Sequence, residues 1–582
     1  MTQGSTPGTP SLFNSSRDYC DRTLPKNSIY RLLYEHGDQF FPDEFFADLF
    51  ATSGRRSVPP RIVATVMVLQ RLEGLSDRDA VERFMFDARW KYACGGLEPE
   101  YPAFVHTVLV YMRARLRDSE TPTRIFDVVL DVARSAGTVG VRRVLDSTPL
   151  FDAVATQDTV TLIRSAIRGV LRVCDAAKAE QVRAVLKRDD AYDTPGKPAC
   201  DWADADAREQ LIDALARDGF SVLALFDGEK LDEKLADAVQ LLATVLGQDL
   251  EEDDDGSFRI ARRVARDRVI STVDPETRHG HKTASRSFDG YKGHIAVDPD
   301  SEIITATTVT AGNVGDGAVV EELLKDVLVS ETDDGQPPAD SEAALEVARA
   351  DQRVAPPNLW SRLAGWVATL SLIAGFGRRP TGLDPEVTLE NASTDRPEVY
   401  GDAAYGGANV LALLTGAGIR VFTKVQQPVS VAGRFSLADF DIDLAAQTVT
   451  CPATITLPLK TRADGTGYAT FGKNCAGCPL REQCTTAKAG RTVNLHPKFE
   501  LLQRFREEQA DPEWQRAYRE TRPKVERKLA HMVRRKHGGR NARVRGATRI
   551  GHDFDLLAAA INLARLAQLG LTRSAGEWVV VH

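Results

Sequence analysis

Long apolar runs are absent from this chain. The most apolar stretch, Leu363 to Phe376, spans 14 residues, short of the ~20 that a membrane-crossing helix requires. A buried helix is expected there, and no membrane partner. Cysteine is scarce, at eight in 582 residues with four clustered late, which excludes a disulfide scaffold and suits a reducing, cytoplasmic setting. A basic excess is also missing. Lys and Arg number 74 against 82 Asp and Glu, a net charge of −8 with a pI near 5.8. Blanket attraction to a polyanion is thereby excluded, and any nucleic-acid surface must be a local patch. Residues 1–16 are rich in Gly, Ser, Thr and Pro without a basic start or an apolar core, so they read as a disordered tail and not as a signal peptide. No internal repeat is evident.

One basic patch is present. From Arg519 to Arg549 twelve Lys and Arg stand against two acids, Glu520 and Glu526, a local charge of +10. Pro523 is placed to begin a helix, since its fixed φ suits a first turn and its missing N–H costs nothing there. Val525, Leu529, Met532 and Val533 recur at helical spacing and supply a face that can dock on a core. Glu526 is the one carboxylate within that helix. It reads either as the partner of Arg522 in an intrahelical ion pair or as a metal ligand held against a polyanion.

The length implies about two to four domains, and 43% hydrophobic with 27% charged residues is ordinary for a globular protein. Residues 17–135 read as helical. A helix from Pro60 to Leu72, a turn at Gly74 and a second helix capped by Ser76 with Asp79 suit a helix-turn-helix or an ordinary helical hairpin, with Arg55, Arg56 and Arg61 at its edge. Val141 to Leu145 is a short strand ending in Asp146-Ser147-Thr148-Pro149, and 157–270 returns to helix. The acidic run Glu251 to Asp255 lacks calcium-loop spacing and is expected to be a solvated loop. Strands His294–Val297 and Ile303–Val309 form a hairpin around Asp298–Ser301, and a helix follows over Gly317–Leu328. After an Asp-, Glu- and Pro-rich linker come a strand ending at Asp402, a helix over 408–414 and a strand over Ile419–Thr423. Short β runs carry the cysteine cluster, and helices Gln503–Arg522, Lys524–His537 and Phe554–Leu569 close the chain.

Asp146 and Asp402 thus close predicted strands and Glu526 lies on a helix beside them, where an open α/β sheet gathers ligand groups. Three carboxylates meeting there can hold two Mg²⁺ ions. Two such ions about 3.5–4 Å apart activate a water or 3′-hydroxyl and stabilise the leaving oxygen of a phosphodiester. A single Asp at a strand end is more often a turn former, so spacing alone leaves both readings open. Cys451, Cys475, Cys478 and Cys484 combine one CxxC with two flanking cysteines, a pattern consistent with structural Zn²⁺ held by four thiolates, or with four reduced thiols. Gly467 to Lys473 has Walker A spacing, but Asn474 replaces the Ser or Thr that would hold Mg²⁺, so no nucleotide site is expected.

The stretches RRVLDSTPLFDAVATQDTVT, HGHKTASRSFDGYKGHIAVD with TAGNVGD, VYGDAAYG and RPKVE followed by GGRNARVRG resemble the DDE transposases of bacterial insertion sequences. SGRRSVPPRIVATVMVLQRLEGLSDRDAVERFMFDARWKYACG resembles their N-terminal helical domain, and the likeness runs from about residue 40 to 567. It implies an α/β fold with a ribonuclease-H-like catalytic core over 136–425 and 500–570, a helical DNA-binding domain over 17–135, a helical insertion about 157–270, an insert about 329–395 and a β-rich insertion over 426–499.

The resemblance places the catalytic, Mg²⁺-binding triad on Asp146, Asp402 and Glu526, with two ions and Mn²⁺ tolerated. Arg522, Lys524, Arg527, Arg534, Arg535 and Lys536 would grip DNA phosphates, and Tyr291, Lys292 and His294 would lie near the substrate phosphate or form a polar strand edge. Asp316 is expected as a helix cap, and His279, His281 and Lys282 as DNA contacts or loop residues. Tyr518 stands one residue too far from Arg522 for the family's Tyr-Arg-Glu-Lys signature, and Val533 replaces its lysine. The implied activity is cleavage at terminal inverted repeats of double-stranded DNA and strand transfer to target DNA, by a homodimer in a synaptic complex in the cytoplasm, on the nucleoid when bound. A silent transposase-derived DNA-binding protein and a structure-specific nuclease with the same core are the alternatives.

Overall fold

One six-stranded sheet positions everything of functional interest. β1 (Arg142–Phe151), β2 (Arg278–Thr283), β3 (Arg286–Val297), β4 (Ile304–Ala311), β5 (Glu398–Gly401) and β6 (Arg420–Thr423) run in the order β2-β3-β1-β5-β6, with β4 also on β3. The β1–β3 and β3–β4 pairs are antiparallel, and the β1–β5 and β5–β6 pairs are parallel. This mixed α/β arrangement is consistent with a ribonuclease-H-like core. The computed structural model describes residues 16–54, 56–152, 154–283, 285–328 and 396–581. Residues 1–15 of the expected tail, the 329–395 insert with its apolar helix, and Arg55 lie outside the described residues, and Ser16, placed in the tail, begins a helix instead.

Side-chain alternation assigns the two faces of the sheet. Val144, Ile295, Tyr400 and Phe422 enter one core, and Leu145, Ala296, Val399 and Val421 enter another. The first is shared with helices from both ends of the chain: α1 (Pro60–Glu73), α2 (Arg124–Ser135), α3 (Pro512–Met532) and α4 (Ala547–Gln568). α1 is buried at every position from Ile62 to Arg71, and the guanidinium of Arg71 meets Asp553 of α4 at 3.0 Å. Gly74 caps α1 at φ +67°, and a Cβ there would fall 2.4 Å from the Lys536 carbonyl oxygen. The turn between α1 and the next helix is therefore covered by the basic segment following α3, to which Arg543 adds a hydrogen bond on the Leu75 carbonyl. Ser76 and Asp79 form the expected capping box.

Three local expectations need correcting. Pro523 does not open a helix; it lies inside α3, which starts at Pro512 behind an Asp511 cap. An interior proline costs ~3 kcal/mol, but Trp514, Tyr518, Val525, Leu529 and Met532 form one buried stripe on both sides of it, and burying that stripe keeps the helix continuous. β1 does not stop at Leu145 but runs on through Pro149. Its parallel partner is lost after Val144, so Pro149 sits where the strand pairs on one side and a missing N–H is tolerated. His279 and His281, expected as DNA contacts or loop residues, lie on strand β2.

The helical insertion has its own core, from helices Thr159–Val173, Ala176–Val185, Ala205–Leu225 and Glu233–Asp249. It ends in a small hairpin, Leu250–Glu252 with Phe258–Ile260, so that the acidic run, expected as a loop, begins on a strand at Glu251 and Glu252 and continues into the turn. The cysteine-bearing region holds two sheets of three short strands around a small core containing Phe440, Val449 and Phe471. The Walker-like run forms a strand and a 3-10 turn, not a helix N-terminus. A hairpin of Leu571–Ser574 with Glu577–Val580, unforeseen in the sequence, packs Trp578 against the first core. Among the described residues no helix is long and apolar enough to cross a membrane.

Candidate active site

The sheet register sets two acids side by side. Val144 pairs with Tyr400 in the last rung between β1 and β5, and each strand places an Asp two residues further on, at 146 and 402. A step of two keeps a side chain on the same face, so both carboxylates emerge on the face that α3 covers. Asp402 lies just past the end of β5, and one of its oxygens accepts from the Ala404 N–H at 2.9 Å. α3 then brings Glu526 to the same place. Its buried stripe fixes which side of the helix meets the sheet, and Arg522, one turn earlier, points between the strands.

Arg522 is the centre of the cluster. Its Nη2 lies 3.1 Å from Asp146 Oδ1 and 4.0 Å from Asp402 Oδ2, and its Nη1 lies 3.7 Å from Glu526 Oε1. The side chain of Arg522 is 6% exposed, against 15% for Asp146, 46% for Asp402 and 64% for Glu526, so charge is buried at one end of the site and open to solvent at the other. Burial pushes the Asp146 carboxyl above its ordinary range, with Asp402 adding to the rise and Arg522 and the Ser147 N–H opposing it. Arg522 is held protonated chiefly by Asp146, against its own burial. Its Nε and Nη1 are buried without a hydrogen-bond partner, which marks the guanidinium as placed for charge rather than for a saturated network.

The oxygens are of the kind a hard divalent cation takes, and all three carboxylates approach one existing positive charge. In donor chemistry the set suits Mg²⁺. They are grouped around Arg522, and among the described residues no three His, Cys, Asp or Glu side chains are arranged to hold a metal ion.

The remaining candidates differ in exposure and in the ion pairs they make. Arg534, Arg535 and Lys536 are exposed just past the end of α3. Lys524 faces Asp300 at 3.6 Å and Arg527 meets Glu302 at 2.5 Å. Tyr291, Lys292 and His294 do not form a DNA-facing edge, because β3 is an inner strand covered on both faces. Tyr291 is fully buried and donates to Asp274. His294 is fully buried against Thr310, and burial depresses its pKa to about 4. Lys292 is held by Val314 and Asp316. His279 bonds Asp289.

The structure adds neighbours to this cluster. Tyr518, out of step with the family signature, stacks on Trp514 with ring centroids 5.0 Å apart and sits beside Arg522, which lowers its pKa against the larger effect of burial. Lys424, exposed beyond β6, holds its ammonium 5.1 Å over the Tyr518 ring. Tyr405 is fully buried, and its phenol is pushed well up by burial and then by Asp316, Asp146 and Asp402. The DAAY spacing carried that residue, but nothing marked it.

Cys451, Cys475, Cys478 and Cys484 line one cavity of about 20 Å³ with Phe435, Phe440 and Phe471. The Arg491 N–H approaches Cys475 Sγ at 3.5 Å. The Cys484 thiol is raised by burial and, against Arg491, by the other three cysteines.

Three family models match this chain: a "Transposase domain (DUF772)" over residues 18–115, and two separate "Transposase DDE domain" models over 260–335 and 450–567. Together they indicate a DDE transposase of an insertion-sequence type. No curated protein and no solved structure matches it. The matched ranges of this transposase contain Arg522, Glu526, Lys292, Asp316 and the four clustered cysteines, whereas Asp146 and Asp402 fall outside them. The sheet register and the contacts of Arg522 are what tie those two acids to Glu526.

Proposed function

We propose that this protein cuts double-stranded DNA at the terminal inverted repeats of its own element and joins the freed 3′-ends to target DNA, using a ribonuclease-H-like core with Asp146, Asp402 and Glu526 as the catalytic acids. The observation that carries this reading is the approach of all three to one guanidinium, from two adjacent strands and the helix laid across them. In cleavage a water oxygen bonds to phosphorus as the bond to the 3′-oxygen breaks, and that oxygen leaves with a proton. In strand transfer the 3′-oxygen bonds to a target phosphorus while the target's own P–O3′ bond breaks.

Asp146, Asp402 and Glu526 would hold two Mg²⁺, with Mn²⁺ accepted. When bound, these ions would lower the pKa of the attacking hydroxyl and stabilise the leaving oxygen. Asp146 is fixed by the sheet and desolvated, so it sets the position of the site, and the exposed Asp402 and Glu526 are open to an incoming strand. Arg522 offsets part of the acids' charge in the resting protein and can turn one of its buried, unpartnered N–H groups toward a phosphate oxygen. Arg534, Arg535 and Lys536 grip the flanking backbone, a salt-dependent and sequence-independent contribution, while residues 17–135 contribute recognition of the repeat. Two DNA ends need two active sites, which calls for a homodimer acting on the nucleoid in the cytoplasm.

The test is cleavage of a terminal-repeat duplex with Mg²⁺ and transfer from a pre-cut end. Asp146→Ala, Asp402→Ala and Glu526→Ala should each abolish cutting while duplex binding persists; cutting by any one of them overturns its assignment. Binding without any cutting by the unchanged protein would favour a silent DNA-binding relative, and cutting without transfer a nuclease.

The four clustered cysteines are read as a structural Zn²⁺ site that staples a region whose own core is small. Metal analysis should find one zinc per chain, and Cys478→Ser should lose it. Far less than one zinc in the unchanged protein defeats this reading.

A further inference from the structure

Asp316 begins the 3-10 turn after β4, yet its side chain caps nothing there. Both of its oxygens are used elsewhere. Oδ2 accepts from the Ser147 hydroxyl at 2.6 Å, and Oδ1 accepts from Lys292 Nζ at 2.8 Å. Lys292 donates as well to the Val314 carbonyl at 2.8 Å. On the other side of Ser147, its backbone N–H donates to Asp146 Oδ1 at 2.8 Å, the same oxygen that Arg522 approaches at 3.1 Å. Two contacts on one oxygen fix the rotation of the Asp146 carboxylate.

We propose that Asp316 and Ser147 are positioning residues for Asp146, with Lys292 as the anchor of the chain Lys292–Asp316–Ser147–Asp146. The inference rests on the reading of Asp146 as a catalytic acid. Lys292 and Asp316 are 14% and 11% exposed. An ion pair so far from water gains little net stability and is better suited to fixing a geometry. The geometry it fixes is that of β1 beyond Val144, where the strand has lost its parallel partner and pairs with β3 alone until Phe151 meets the Arg540–Ala542 backbone. Without the hydroxyl clamp, the Ser147 peptide and the carboxylate it orients gain freedom at the point where ångström-scale placement governs rate.

Three variants test the chain: Ser147→Ala removes the clamp, Ser147→Thr keeps a hydroxyl, and Asp316→Asn keeps an acceptor but drops the charge that Lys292 and Ser147 share. Mn²⁺ binding by calorimetry and single-turnover cleavage of the preformed terminal-repeat complex are read together, with duplex affinity and melting temperature as controls. Ser147→Ala should weaken Mn²⁺ binding at least fivefold and slow cleavage at least tenfold at unchanged duplex affinity and melting temperature. Ser147→Thr should restore most of both, and Asp316→Asn should fall between. Wild-type Mn²⁺ affinity in Ser147→Ala, or equal losses in the Ala and Thr variants, overturns the proposal. If the unchanged protein binds Mn²⁺ without cutting, the cleavage reading fails and the Mn²⁺ comparison alone decides the positioning role; no Mn²⁺ binding at all defeats both.

Discussion

Arg522 Nη2 lies 3.1 Å from Asp146 Oδ1, an ion pair between two side chains that are both largely removed from water. Asp402 and Glu526 reach the same guanidinium from the solvent side. The arginine therefore supplies, in the resting protein, positive charge among acids that would otherwise repel one another.

Arg522→Gln should leave a desolvated carboxylate without its counter-charge, at a cost of ~3 kcal/mol. Because burial already raises the Asp146 pKa, the variant should partly relieve that cost by protonating Asp146. A divalent cation supplies the missing charge directly, so Mg²⁺ should raise the melting temperature of the variant more than that of the unchanged protein. Equal shifts in paired thermal melts would refute the role given to Arg522.

Gly74 joins the two ends of the chain. Its φ of +67° and the 2.4 Å approach of a Cβ to the Lys536 carbonyl make Gly74→Ala both strained and obstructed. Strain of this kind costs ~1–3 kcal/mol, and the clash falls on backbone, which cannot swing aside as a flexible side chain can. A melting temperature lowered by several degrees is expected, with faster proteolysis of the segment after α3. An unchanged melt would show that this segment packs less closely on α1 than the structure has it.

The +10 segment should be electrostatically uneven. Arg534 and Arg527 are both exposed, but Arg527 is paired with Glu302 at 2.5 Å. If Arg534 meets a phosphate, Arg534→Ala should lower the slope of log affinity against log salt by about 0.9. Arg527→Ala should change the slope less, because its charge is already spent within the protein. Duplex-binding titrations over a salt series compare the two, and equal effects would mean that the Glu302 pair breaks on binding.

Asp146 and Asp402 each follow an apolar run in a short motif, and the register of β1 with β5 makes them neighbours, whereas Glu526 stands out only as the one carboxylate of a basic helix. The helix boundary at Pro523 was misread because a proline suits a helix start by local chemistry, while the stripe from Trp514 to Met532 is a tertiary matter. Tyr291, Lys292 and His294 looked like surface because polar residues on a strand usually are. Only the covering of β3 on both faces turns them inward. The Asp316–Ser147 bond spans 169 residues, a distance over which a single sequence carries no signal of contact.

His531 and His537 face each other at the end of α3, with Nε2 atoms 3.4 Å apart. Burial first, then His537 and the cations Lys528, Arg534 and Lys536, depress the His531 pKa from its usual 6.5 to about 4. His537 is also lowered, chiefly by burial. The unfolded chain takes up a proton on His531 near pH 6.5, while the folded chain resists until about pH 4. Between those limits the unfolded state binds more protons, so stability falls as pH falls through that window and is fully present above it. His531→Gln removes one of the two titrating rings and should flatten the fall in melting temperature between pH 6.5 and 4, while differing little from the unchanged protein in slope above pH 7. Parallel slopes for the two proteins across the acid window would show that His531 titrates normally and that the cations around it are screened by solvent.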